Sequence, residues 1–217
     1  MQVLMIRHSK TPGNEAHKYV GSSDQPLSEN GIKLAQEAAE VYAREFKAPE
    51  YVYVTPLIRT QMTAKILFPD ADQIVVDGLR EMDFGVFENR SAAEMEHDFE
   101  YSAWVEGMCE GRCPGGEKKS EFSERVCRAF AHIIDEEMQK TQDQSRKEVN
   151  EDGKLLVMVL HGGTIMSIAE KCALPKRDFY DIFLTNCQGM LFDVASEGGE
   201  LKLINEKIFF RNPGHKA

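Results

Sequence analysis

Leu155-Leu156-Val157-Met158-Val159-Leu160 is the most apolar run in the chain, and it stops abruptly at His161-Gly162-Gly163-Thr164. Six consecutive apolar residues without alternation fit a strand covered on both faces, which places this run at the centre of a sheet. The opening of the chain repeats the layout. Val3-Leu4-Met5-Ile6 ends in Arg7-His8-Ser9-Lys10-Thr11, followed by the turn-forming Pro12-Gly13-Asn14. In open α/β sheets, ligands bind just beyond the carboxyl ends of the strands, where Arg7 and His8 are expected. Taken alone, an Arg-His pair reads more readily as the solvated end of a strand.

The remaining pattern is that of an α/β protein. Tyr51–Val54 and Gln73–Asp77 have strand composition, and Gly189–Val194 and Leu201–Asn205 are separated by Ser196-Glu197-Gly198-Gly199, which predicts an antiparallel hairpin. Ser28 is a plausible N-cap for a helix running to about Phe46, with Ile32, Ala35, Ala38, Tyr42 and Phe46 at helical spacing. Thr55 and Pro56 read as cap and opening residue of a helix that carries Arg59 in its first turn. Met95, Phe99 and Trp104 suggest helical excursions between Ser91 and Gly107. A long helix is expected from about Ser120 to Lys140, and the polar stretch from Thr141 to Lys154 reads as a surface loop. The fold class is therefore a three-layer α/β/α arrangement with a mostly parallel central sheet, helices on both faces and a C-terminal antiparallel hairpin. One domain is expected over residues 1–217, with a helical and loop cap contributed by about 85–120.

Charge and cysteine usage remove several functions. Lys plus Arg number 26 against 36 Asp plus Glu, and a net charge of −10 disfavours nucleic acid as a partner. Five irregularly spaced cysteines argue for a reducing compartment rather than a disulfide framework. Cys109 and Cys113 have near-ligand spacing, but no second Cys/His pair follows at a zinc-binding distance, so no metal is expected. No apolar stretch approaches the roughly 20 residues of a membrane span, and the first residues lack a secretory layout. A cytoplasmic protein without membrane partners is the expectation. The oligomeric state is left open, a homodimer among the options.

An acidic chain that nevertheless gathers Arg7, His8, Arg59 and His161 at strand ends and a helix start calls for an anion. A first-turn arginine opposes the helix dipole unless an anion sits there. A phosphate dianion suits these groups, because arginine forks pair with its oxygens and histidine can both donate and attack.

At these residues the chain resembles the histidine phosphatase superfamily, also called the phosphoglycerate mutase-like family. Arg7-His8-Ser9-Lys10-Thr11 is similar to the family's Arg-His-Gly-Glu/Gln-Thr, with Asn14 at a phosphate-contacting position. Thr55-Pro56-Leu57-Ile58-Arg59-Thr60-Gln61-Met62-Thr63-Ala64, Leu79-Arg80-Glu81-Met82-Asp83-Phe84-Gly85 and His161-Gly162-Gly163 match three more motifs. Asp24–Gly31 and Pro114-Gly115-Gly116-Glu117 fit further segments, in the family's order.

The resemblance implies a phosphatase acting on a small phosphorylated substrate without metal or cofactor. His8 would be the covalent nucleophile and Glu81 the general acid and base, with His161 as the third catalytic group. Arg7, Asn14, Arg59, Ser9 and Gly162 would bind the phosphate. From spacing alone Glu81 reads as a solvated loop acid, and only the family position gives it a catalytic role. Ser9 replaces the usual Gly and Lys10 the usual Glu or Gln; a phosphate hydrogen bond and a purely conformational role are equally open for Ser9. The competing expectations are an α-ribazole phosphatase, a phosphoglycerate mutase and a catalytically silent phosphate-binding module.

Overall fold

The computed structural model describes residues 1–145 and 154–210. Its six strands form one sheet in the order β3-β2-β4-β1-β5-β6. β1 (Gln2–Arg7), β2 (Tyr51–Val54), β3 (Asp72–Val75) and β4 (Leu155–Leu160) run parallel, and β5 (Gly189–Glu197) and β6 (Glu200–Phe209) complete the sheet as an antiparallel pair. The strands at the middle are those with the unbroken apolar runs. Val3–Ile6 and Val159–Leu160 have no exposed surface at all, and full burial of each such side chain contributes about 1.5–3 kcal/mol.

Alternate residues of the central strands feed two cores. Val3, Met5, Met158 and Leu160 face the layer built by α5 (Lys119–Ser145) and α6 (Gly162–Cys172). Leu4, Ile6, Val157 and Val159 face α2 (Glu29–Glu45) and α3 (Ile58–Leu67). The short α1 (Pro12–Glu15) and α4 (Phe99–Glu106) lie in the connections. The three-layer arrangement and the C-terminal hairpin expected from the sequence are present, with Gly198 and Gly199 at φ +62° and +84° supplying the left-handed turn.

Several local expectations are corrected. α2 begins after Ser28, whose side chain accepts from Gly31 N, but its buried face is centred on Leu34, Ala35, Ala38 and Tyr42 rather than on Ile32. α3 begins at Ile58, with Leu57 in the cap position and without a side-chain cap; the Thr55 hydroxyl is committed to other groups, described below. β3 is largely exposed because it is an edge strand. The long helix continues past Lys140 to Ser145, so Thr141–Ser145 is helix rather than the predicted loop, and the part of that prediction over 146–153 lies outside the described residues. The segment from Ser91 to Gly107 resolves into a single 3-10 turn at Ala93–Met95 and then α4.

One buried carboxylate ties α5 to the sheet. Glu137 has no exposed side-chain surface; it accepts from Tyr51 Oη at 2.6 Å and Tyr53 Oη at 2.9 Å and is ion-paired with Lys140 and Lys154. No helix among the described residues is long and apolar enough to cross a membrane.

Candidate active site

The site follows from strand register. β1 and β4 pair in parallel with Arg7 opposite Leu160, so the residue that follows each strand, His8 or His161, emerges at the same level. His8 N donates to Leu160 O at 2.8 Å, and the two imidazoles meet edge to face with centroids 5.2 Å apart. The His8 ring is 3% exposed, and its Nδ1 lies 2.6 Å from Ser9 O. A carbonyl partner requires the hydrogen on Nδ1, which leaves a lone pair on Nε2. Burial, reinforced by Arg59 and Arg7, pushes the His8 pKa well below its ordinary value, so the ring is neutral. His161 is fully buried and neutral for the same first reason, with Arg59 and His8 adding to it; its Nε2 pairs with Thr55 Oγ1 at 2.9 Å.

Two guanidinium groups bear on the charge of these rings. Arg7 ends β1 and donates through Nη1 to the Leu184 carbonyl. Arg59, the second residue of α3, is fully buried and donates to Ser23 O at 2.8 Å and Gly21 O at 2.7 Å. Those carbonyls belong to a loop held in turn by Glu88, whose carboxylate accepts from the backbone N–H groups of Gly21, Ser22 and Ser23. The Nε atoms of both arginines and Nδ1 of His161 are buried without a hydrogen-bond partner. Buried donors are nearly always satisfied in folded proteins, and orphaned Nε donors on two arginines beside two imidazoles suit an anion.

The acid comes from the loop after β3. Glu81 accepts from Gly163 N at 2.9 Å through Oε2 and from Met82 N at 3.0 Å through Oε1. A Cβ on Gly163 would lie 2.5 Å from Glu81 Oε1, so only glycine admits the carboxylate this close to α6. Burial raises the Glu81 pKa; the two backbone donors and the charges of Arg59 and Arg7 act against that rise without cancelling it. A carboxyl with a raised pKa beside an anion pocket can hold a proton for a leaving group.

Of the other residues expected from the sequence, Asn14 lies close by. It shares a capping box with Thr11, and its Oδ1 is 3.5 Å from Asn186 Nδ2, which also donates to His8 O at 2.9 Å. Gly162 opens α6 beside Arg7; a Cβ there would be 3.5 Å from the guanidinium. The Ser9 hydroxyl is turned away. It donates to Gly31 O at 2.6 Å while Ser9 N donates to Thr63 Oγ1, which selects the conformational role over phosphate contact. Asp83 and Glu88 brace the loops of the site rather than face the imidazoles. Thr55 and Asn186 were not singled out by the sequence as site residues. Thr55 precedes Pro56 and reads as a helix cap, and nothing local marks Asn186 as a partner for a backbone 178 residues away.

Two imidazoles, two guanidiniums and a carboxyl gather where the parallel strands of the α/β sheet end. The chain belongs to the histidine phosphatase superfamily (branch 1), whose family model matches residues 3–207. It is 33% identical over 141 residues to a protein named probable phosphoglycerate mutase GpmB from Cronobacter sakazakii, and 37% identical over 141 residues to its counterpart from Enterobacter sp.. These alignments cover 62% of this chain and 64% and 63% of the relatives, so the match spans less than two thirds of their length. Among solved structures, a putative α-ribazole-5'-P phosphatase from Escherichia coli superposes with a TM-score of 0.75 at 22% identity, covering 94% of each chain. A phosphoserine phosphatase from Entamoeba histolytica superposes with a TM-score of 0.71 at 22% identity, covering 94% of this chain and 95% of that one. At this identity the likeness is one of fold.

Proposed function

We propose that the protein is a phosphomonoesterase that hydrolyses small phosphorylated metabolites through a phosphohistidine on His8. The reading rests on one observation above the others: a neutral His8 with Nε2 unprotonated shares its site with two buried arginine Nε donors that lack partners. Phosphoryl transfer is mostly positioning and charge stabilisation, and Arg7, Arg59, His161 and Asn14 supply donors for the non-bridging oxygens. His8 Nε2 attacks phosphorus, the bond to the ester oxygen breaks, and the Glu81 carboxyl gives its proton to the departing alkoxide. Water then attacks the phosphohistidine, Glu81 takes the proton from that water, and His8 and inorganic phosphate are released.

The names of the relatives at 33–37% identity favour a second reading, mutase-type transfer between two hydroxyls of one substrate. Against it, the acid-bearing segment reads Glu81-Met82-Asp83-Phe84-Gly85, whereas that of phosphoglycerate mutases usually reads Glu-Arg-x-Tyr-Gly. A panel of phosphate esters that includes 3-phosphoglycerate, an α-ribazole phosphate and p-nitrophenyl phosphate, assayed on wild type and His8→Ala, separates the readings. Phosphate release by wild type alone, with acid-labile and base-stable label on His8, is the expected result. Turnover of 3-phosphoglycerate without phosphate release would overturn it in favour of the mutase. Binding without any covalent label would leave a silent phosphate-binding module.

A further inference from the structure

Glu81 sits in a stretch between Leu79 and Gly85 that is neither helix nor strand, and a carboxyl on such a stretch serves as an acid only if its backbone is held. Arg125, on α5, does this holding. Its Nη1 donates to Gly78 O and Arg80 O at 3.1 Å each, and its Nη2 to Glu81 O at 3.4 Å. Glu81 O and Met82 N belong to one peptide unit, and Met82 N is the donor to Glu81 Oε1. The guanidinium therefore fixes the plane of the peptide that grips the carboxylate. Glu117 in turn fixes Arg125 through a fork, Nε to Oε1 at 3.0 Å and Nη2 to Oε2 at 2.8 Å.

Glu117 also reaches the far side of the acid. Its Oε2 accepts from Asp83 N at 3.0 Å and its own N–H donates to Asp83 O at 2.9 Å. This clasp needs two close backbone approaches. A Cβ on Gly116 would fall 2.3 Å from Asp83 O, and one on Gly85, at φ +53°, would fall 2.1 Å from Pro114 O. The segment around Pro114–Glu117 is thus pressed onto the acid loop from outside, while Thr164 Oγ1 takes Leu79 O from within.

We propose that Glu117 and Arg125 are the positioning residues of the general acid, binding the cap-side segment to the loop that carries Glu81. The inference rests on the role given to Glu81 above. A bidentate arginine is not replaced by lysine, because the flat fork is what spans the carbonyls and the carboxylate together.

The test compares kcat/KM for an ester with a basic leaving group, glycerol 2-phosphate, with that for p-nitrophenyl phosphate, whose phenolate leaves without a proton. Wild type, Glu81→Gln, Glu117→Gln and Arg125→Lys are measured side by side. All three variants are expected to lose on the order of tenfold or more on the alkyl ester relative to the aryl ester, because kcat/KM reports formation of the phosphohistidine, and in that step misplacing Glu81 removes only protonation of the leaving group. Equal losses on both esters in Glu117→Gln and Arg125→Lys would show a merely structural clasp and overturn the inference while leaving Glu81 as the acid. Equal losses in Glu81→Gln would overturn the acid assignment and the inference with it. If one clasp variant does not fold, the other decides.

Discussion

Keeping two imidazoles neutral beside two guanidiniums makes stability depend on pH in a calculable way. His8 and His161 both titrate well below the ordinary value of 6.5 in the folded protein, first because of burial. The unfolded chain takes up their protons near 6.5 and the folded one does not, so stability falls as the pH drops below that value. Lowering the pH from about 7 to about 5.5 should cost about 1.3 kcal/mol for each ring that stays neutral, hence about 2.5 kcal/mol for the two. Glu81 works in the opposite direction: its raised pKa makes the folded state the better proton binder above 4.5. A difference experiment removes that contribution. Urea unfolding of wild type and His8→Gln at both pH values should show an acid-induced loss smaller by about 1.3 kcal/mol in the variant. His161 stays neutral in that variant because burial, rather than His8, is the larger cause of its shift. Equal losses in the two proteins would mean that His8 titrates normally when folded, and the neutral-nucleophile argument would fail.

Other expectations follow from single contacts. Thr55→Val removes the hydroxyl that pairs with His161 Nε2 and accepts from Leu57 N; unfolding should be easier by about 1–3 kcal/mol, and kcat/KM should fall with it. Gly31→Ala places a Cβ 2.0 Å from Lys10 O, and the displaced strand-end loop should lower turnover more than it lowers the melting temperature. Glu137→Gln should cost about 3 kcal/mol in denaturant unfolding, since it weakens a buried ion-pair network. Burial alone would raise the Glu137 pKa, but its two lysine and two tyrosine donors outweigh burial and bring it from 4.5 to about 2. That stability is present above about pH 4.5 and is lost as the pH falls towards 2, so acid titration of wild type and variant should converge there.

The layers are legible in the apolar pattern of the chain. Unbroken apolar runs at Val3–Ile6 and Leu155–Leu160 fit strands covered on both sides, and Ala35, Ala38 and Tyr42 recur at the spacing of one helix face. The sequence also named the chemistry-bearing side chains, because histidine and arginine directly after a buried strand or in a first helical turn stand out from their neighbours. What holds those side chains is set by contacts across the packed fold. Thr55 became a partner of His161 instead of a helix cap, because the parallel register of β1, β2 and β4 brings three strand ends to one level. Ser9 turned towards Gly31, Asn186 reached His8 from the other end of the chain, and the Glu117–Arg125 fork closed over the Glu81 peptide. These contacts join residues far apart in the chain, and a hydrogen bond between distant residues leaves no periodicity in the sequence to read. The opening Arg7-His8, ambiguous as a local pattern, acquires its meaning from that register, which sets a second imidazole 5.2 Å from the first, while the adjacent Ser9 carbonyl leaves Nε2 of His8 without a proton.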